Sequence, residues 1–205
     1  MRIDPTTLDT REVHHLFMTV ISPRPIAWVS TIDERGINNL APFSTYTLLS
    51  GIPAMVGFGV GRYRDGKTKD TLRNIEQNSQ FVINVVTEDL GEAMNLTSAP
   101  YPPEISEFEK VRLTPAGSEL VVPARVGESA VSLECRLSQI LRFGNEPHQN
   151  SFIIGEVLLV HIKDELWNNG TIESSKLKTI GRLGGTDSYC RTSDRFEMKR
   201  PDNIY

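Results

Sequence analysis

Cysteine is almost absent from this 205-residue chain: Cys135 and Cys190 stand far apart and outside any CxxC pair. A zinc ribbon or a thioredoxin-type centre needs paired thiolates at short spacing, so neither is expected. Cys135 falls in a strand-like run and reads as a small core residue. Basic residues are not in excess either. Lys and Arg total 22 against 26 Asp and Glu, a formal charge of −4, whereas general nucleic-acid binding calls for a basic face. No apolar run approaches the roughly 18 to 20 residues of a membrane span. The opening stretch MRIDPTTLDTREVHH lacks the charged-then-apolar pattern of an export signal, so the expected location is the cytoplasm. The Asn-X-Thr triplets at Asn95 and Asn169 therefore carry no weight. Repeats, an HExxH helix, a Ser/His/Asp set and a convincing carboxylate pair are all missing. His14 and His15 are adjacent and would point apart on a regular element, so no metal site is read there.

What is present centres on residues 22–46. From Arg24 to Ile32 the chain alternates Ile26, Trp28 and Ser30 with Ala27, Val29 and Thr31, which is strand spacing. Asp33 to Gly36 supply a polar turn whose glycine can take a positive φ, and the chain returns through Ile37 to Ala41. Pro42 then removes a ladder hydrogen bond just where Ser44, Thr45, Tyr46 and Thr47 gather four hydroxyls. Two readings fit this cluster: a sheet edge with satisfied hydroxyls, or the wall of a site for a flat polar ligand.

Further along, 53–61 reads as a strand with Val56, Phe58 and Val60 on one face and Gly57, Gly59 and Gly61 on the other. Its GxGxG spacing opens no helix and is not the dinucleotide fingerprint. The bare face marks close approach of another backbone or of a flat ligand. Residues 62–79 place Arg62, Arg64, Lys67 and Lys69 ahead of Asp70 and Thr71 at the start of a helix. Helix N-terminal amides with a cation upstream suit a phosphate, while the plain alternative is a charged loop with an ordinary cap. A strand over 80–86 carries Asn84 within an apolar run, and a buried amide there needs a loop or a ligand edge as partner. A helix over 88–98 ends before Pro100, and Ser106 to Glu109 match a capping box. Two long strands, 129–143 and 151–164, make a second hairpin in which His161 interrupts an apolar run. The polar start of the chain is expected to be an arm packed on a neighbour. The tail, with Gly181-Arg182-Leu183-Gly184-Gly185, is expected to be a loop folded over something or a disordered end. About seven strands and two or three helices favour a mainly β fold, an antiparallel barrel with helices outside. One domain over 1–205 is expected, with its core at about 12–165 and an extension over 166–205.

Taken in order, several motifs resemble the flavin reductase-like proteins of the FMN-binding split-barrel fold, closest to the flavoredoxin type. They are Pro23 to Thr31, Asn39 to Ser44, Lys69-Asp70-Thr71, Phe81 to Val85, Gly155-Glu156-Val157 with His161, and Gly181 to Gly185. The resemblance implies a homodimer of Greek-key barrels binding FMN non-covalently near the subunit interface. By it, Trp28, Ser30 and Thr31 lie along the flavin ring, and Ala41, Pro42, Ser44 and Thr45 offer hydrogen bonds to its edge and ribityl chain. Lys69, Asp70 and Thr71, with Arg64, form the phosphate end, and Asn84 is a further cofactor contact. The implied activity is an NAD(P)H oxidoreductase passing electrons through FMN to free flavin, an iron complex or a partner oxygenase. The alternative is a non-catalytic FMN carrier serving a protein redox partner. No protein nucleophile is needed, because the cofactor carries the chemistry. Tyr46, His161 and Arg182 are the candidates for shaping the nicotinamide face.

Overall fold

The first hairpin forms as its spacing predicts, with β1 (Ala27–Ile32) antiparallel to β2 (Asn38–Phe43) and Gly36 at φ +84° in the turn. Only Ser44 and Thr45 separate β2 from β3 (Tyr46–Gly51), which pairs with β4 (Ala54–Val60). After helix α2 (Asp70–Asn78) come β5 (Gln80–Val85), the short ladder of β6 (Pro115–Ala116) with β7 (Arg125–Val126), and the long hairpin of β8 (Val131–Phe143) with β9 (Asn150–Ile162). This computed structural model describes residues 1–63, 65–147 and 149–201.

Seven strands form one antiparallel sheet in the order β2-β1-β5-β8-β9-β4-β3. Its two edge strands, β2 and β3, are consecutive in the chain. A two-residue link spans only about 7 Å, so the sheet must roll until its edges nearly meet. It does: β2 and the link reach the neighbour of β3, with the Phe43 ring 5.4 Å from Phe58 of β4 and the Gly59 amide of β4 donating to the Thr45 carbonyl at 2.7 Å. Yet β2 and β3 are not hydrogen-bonded neighbours. The result is a barrel with an open seam, and Ser44 and Thr45 stand in it.

β1 is buried on both faces, which is why its alternation carries two kinds of apolar side chain rather than apolar and polar. Ala27 and Val29 face the barrel interior with Phe58, Phe81 and Ile153. Ile26 and Trp28 face a second cluster with Leu40, Met94 and Phe108, roofed by α3 (Gly91–Leu96) and α4 (Glu107–Lys110). The bare face of β4 receives side chains, not a ligand: a Cβ on Gly57 would lie 2.4 Å from the Phe152 ring.

Two expectations are corrected. The polar start contains a helix, α1 (Thr10–Val20), capped by a reciprocal Asp9–Glu12 box. β3 lies where the hydroxyl cluster obscured a strand. Ser106 does stand at the N-cap of a short helix, α4, as its motif predicts, though its side chain makes no cap bond. The tail makes two ladders, β10 (Trp167–Asn168) with β11 (Thr171–Ile172) and β12 (Ile180–Arg182) with β13 (Tyr189–Arg191), and returns to the barrel through main-chain pairing of Arg24 with Arg182. Among the described residues no helix is long and apolar enough to cross a membrane.

Candidate functional site

Lys69 is the most informative side chain. It occupies the N-cap position of α2, where no side chain caps the helix, so the first amides of that helix keep their unspent donors. Its ammonium lies 5.7 Å from the Phe43 ring centre and 5.8 Å from that of Tyr63. Burial lowers its pKa, and among the described residues no carboxylate pairs with it. Its basic neighbours are neutralised: Arg62 pairs with Glu146, and Lys67 with Asp65 at 2.8 Å. Arg64 lies outside the described residues. A desolvated cation at an uncapped helix start favours an anion through both its charge and the helix dipole.

Asp70 and Thr71 serve the fold. Asp70 is ion-paired with Arg73 and takes a bond from the Tyr63 hydroxyl at 3.3 Å. Burial first, and then the Asp70 charge, push the Tyr63 phenol up to about 12. The Thr71 hydroxyl is buried and accepts from Asn39 at 3.0 Å, which leaves its main-chain amide for a ligand. Beneath them Asn74 donates to Thr31 at 3.1 Å, while its Oδ1 has no partner and borders a cavity of about 10 Å³, the room of one water. Glu107 lines the same cavity and accepts from the Leu40 amide at 2.9 Å; burial pushes its carboxyl up to about 7.

At the seam, Ala41, Pro42 and Ser44 are half-buried and Thr45 is exposed. Lys69 is linked to this stretch through the ring of Phe43, which stands between Pro42 and Ser44 in the chain.

The other predicted residues are placed elsewhere. Trp28 is 0% exposed, its indole N–H donating to Thr97 at 2.9 Å, so its ring is core and not a ligand wall. Ser30 and Thr31 are also 0% exposed; Ser30 donates to the Ala124 carbonyl and Thr31 is taken by Asn74. Asn84 spends its amide on the Trp28 carbonyl and accepts from the Val126 amide and Ser132, which fixes β7 and leaves nothing for a ligand edge. His161 meets the fully buried Glu134 at 2.6 Å. Burial opposes that carboxylate's charge, but the Glu119 and Leu120 amides and His161 outweigh it and hold its pKa below the usual range. Arg182 stacks on Tyr189 at 4.7 Å and donates to the Thr186 and Ser188 carbonyls, closing its own loop. Tyr46 is largely buried, which raises its phenol to about 12. A separate groove of about 330 Å³ between α3 and the β12–β13 hairpin, lined by Glu88, Glu92, Asn95, Tyr189 and Cys190, contains none of the predicted residues.

Sequence reasoning missed Phe43 and Tyr63 as the flanks of Lys69, and Arg24, a buried arginine joining three segments. Two prolines beside an arginine were a visible signal, but a charge before a strand reads as solvated.

The candidate site thus has two parts on a rolled antiparallel sheet, Lys69 at the uncapped start of α2 and the Ser44–Thr45 link between the sheet edges. Residues 19–175 match the model of the flavin reductase like domain, and the chain belongs to that family, whose fold is the split barrel. A protein of Halalkalibacterium halodurans is 37% identical over 98% of this chain and 97% of its own. Among solved structures, nitrilotriacetate monooxygenase component B from Bacillus cereus is 31% identical with a TM-score of 0.91, covering 97% of this chain and 98% of that one. The 2-nitrobenzoate 2-nitroreductase of Pseudomonas fluorescens is 30% identical with a TM-score of 0.89, covering 100% and 98%.

Proposed function

We propose that this protein is an FMN-dependent NAD(P)H oxidoreductase. The observation that carries the cofactor reading is Lys69: a desolvated ammonium with no carboxylate partner among the described residues, at the uncapped start of α2, fits one phosphate. One phosphate position favours FMN over a dinucleotide flavin. Lys69 and the α2 amides hold the phosphate, while Ser44, Thr45 and the main chain at Ala41 and Pro42 meet the polar edge and ribityl hydroxyls. When bound, the flavin supplies hydride acceptance from a nicotinamide and onward delivery of electrons. The chain's own part is to bind, orient and leave one face of the seam open to donor and acceptor. Solved relatives named as a monooxygenase component and a nitroreductase support a redox role and leave the acceptor a small molecule or a protein partner. The working unit is a homodimer, as the family resemblance implies.

An absorbance spectrum of the purified protein, followed anaerobically by NADH and then NADPH, tests the proposal. Flavin bands that bleach with either nucleotide are expected and identify the donor. Bands that bleach with dithionite alone would make the protein an electron carrier. A colourless protein that takes up no added FMN would end the flavin reading.

A further inference from the structure

Arg24 is 7% exposed, and among the described residues no carboxylate pairs with it. Burial and then the charge of Arg182 lower its pKa. Its charge is met by oxygen dipoles. Nη1 donates to the Met18 carbonyl and, at 3.0 Å, to that of Ile21, the end of α1, whose last turn holds no basic residue. Nη2 donates to the Leu183 carbonyl at 3.2 Å, and Nε to the Ser44 hydroxyl at 3.3 Å. The main chain repeats the tail contact, with Arg24 and Arg182 exchanging amide bonds of 2.9 and 2.8 Å. The tail loop also sits hard against α1: a Cβ on Gly184 would lie 2.8 Å from the Thr19 Cα. One guanidinium therefore ties the end of α1, the tail loop and the barrel seam.

The consequence falls on Ser44. A hydroxyl has one proton and two lone pairs. With a cationic N–H pointing at its oxygen, the Ser44 proton must turn away from Arg24, and the charge behind it makes that proton a better donor. We infer that Arg24 is a positioning residue, which fixes Ser44 as a hydrogen-bond donor to an acceptor atom on the flavin edge and holds the Leu183–Gly185 loop beside it. Arg24 touches no ligand itself; it acts through Ser44. The inference rests on the flavin reading of the seam.

FMN titrations of wild type, Arg24→Lys, Ser44→Ala and the double variant, read by flavin fluorescence, test it. Lysine keeps the charge but cannot span all four acceptors. Each single variant should weaken FMN by about tenfold, the loss of one charge-assisted hydrogen bond. The double variant should be no weaker than Ser44→Ala within about twofold, since the two losses are one. Independent, multiplying losses would overturn the inference, because Arg24 would then act through the fold. Should Arg24→Lys not fold, Ser44→Thr decides: restored affinity and flavin spectrum relative to Ser44→Ala support a donor at this position. Equal binding by wild type, Ser44→Ala and Ser44→Thr refutes it. A wild type that binds no FMN overturns both this inference and the flavin reading, and is told apart because every protein in the series is then silent.

Discussion

Lys69 holds a charge where burial penalises it, and among the described residues no carboxylate pairs with it. Its retention makes physical sense if a ligand completes it. Lys69→Met keeps the stem packed between Phe43 and Tyr63 and deletes the charge. The apo protein should then melt at a higher temperature, by a gain of roughly 1 kcal/mol, while FMN affinity falls by about 1.5 to 3 kcal/mol. Unchanged affinity in a fluorescence titration would remove Lys69 from the site. Trp28 makes the converse case. Trp28→Ala should cost about 3 to 5 kcal/mol of stability. Trp28→Phe keeps most of the packing, loses the bond to Thr97 and should bind FMN as wild type does. A selective loss of flavin in a stable Trp28→Phe protein would restore the ring as a wall. The start of α2 behind a run of cations was legible in the sequence because it carries a local signal. The roles of Trp28, Ser30, Thr31 and Asn84 were not, because burial is decided by strands that pair from over 50 residues away.

At the scale of elements, α4 is one turn long, yet it places Glu107 under β2, where the Leu40 amide and the small cavity receive it. A carboxyl pushed up to about 7 binds a proton more tightly in the folded chain than in the unfolded one, where the value is about 4.3. Its contribution is thus fully favourable below about pH 4.3 and is lost as pH rises to about 7, a swing of up to roughly 4 kcal/mol. Glu134 runs the other way, supporting the fold above its unfolded value and failing in acid. Glu107→Gln keeps an acceptor for Leu40 and removes the charge, so urea midpoints at pH 8 should exceed wild type, and the gap should narrow through pH 5 and close near pH 4. Parallel pH profiles for the two proteins would show that Glu107 does not titrate in this window. β4 and β5 were legible from their strand-spaced apolar residues. β3 was not, because Leu48 and Leu49 are both exposed and break the pattern. α1 was not, because it buries no residue and its Asp9–Glu12 box is a two-residue signal in a polar stretch.

At the scale of the whole molecule, rolling the sheet solves one edge problem and leaves another. The seam brings β2 toward β3, but β3 still has only β4 as a bonded neighbour, and around it Leu48, Leu49 and Ile52 are exposed, Ile52 by 96%. Apolar side chains on a free edge invite association. The homodimer is therefore proposed to cover this edge, which would set a partner surface close to Thr45 and the seam, since Thr45 directly precedes β3. Sedimentation of wild type should give twice the mass of one chain. Leu48→Lys with Ile52→Lys alters side chains that already face solvent, so each chain should keep its stability within about 0.5 kcal/mol. The dimer should nonetheless dissociate, and FMN affinity should fall with it if the second subunit closes the seam. A dimer that survives both substitutions places the interface elsewhere, with the exposed Phe17, Val20 and Ile21 at the end of α1 as the next face to change. A wild type that sediments as one chain would leave the seam to be completed by α1 and the tail loop that Arg24 already holds against it.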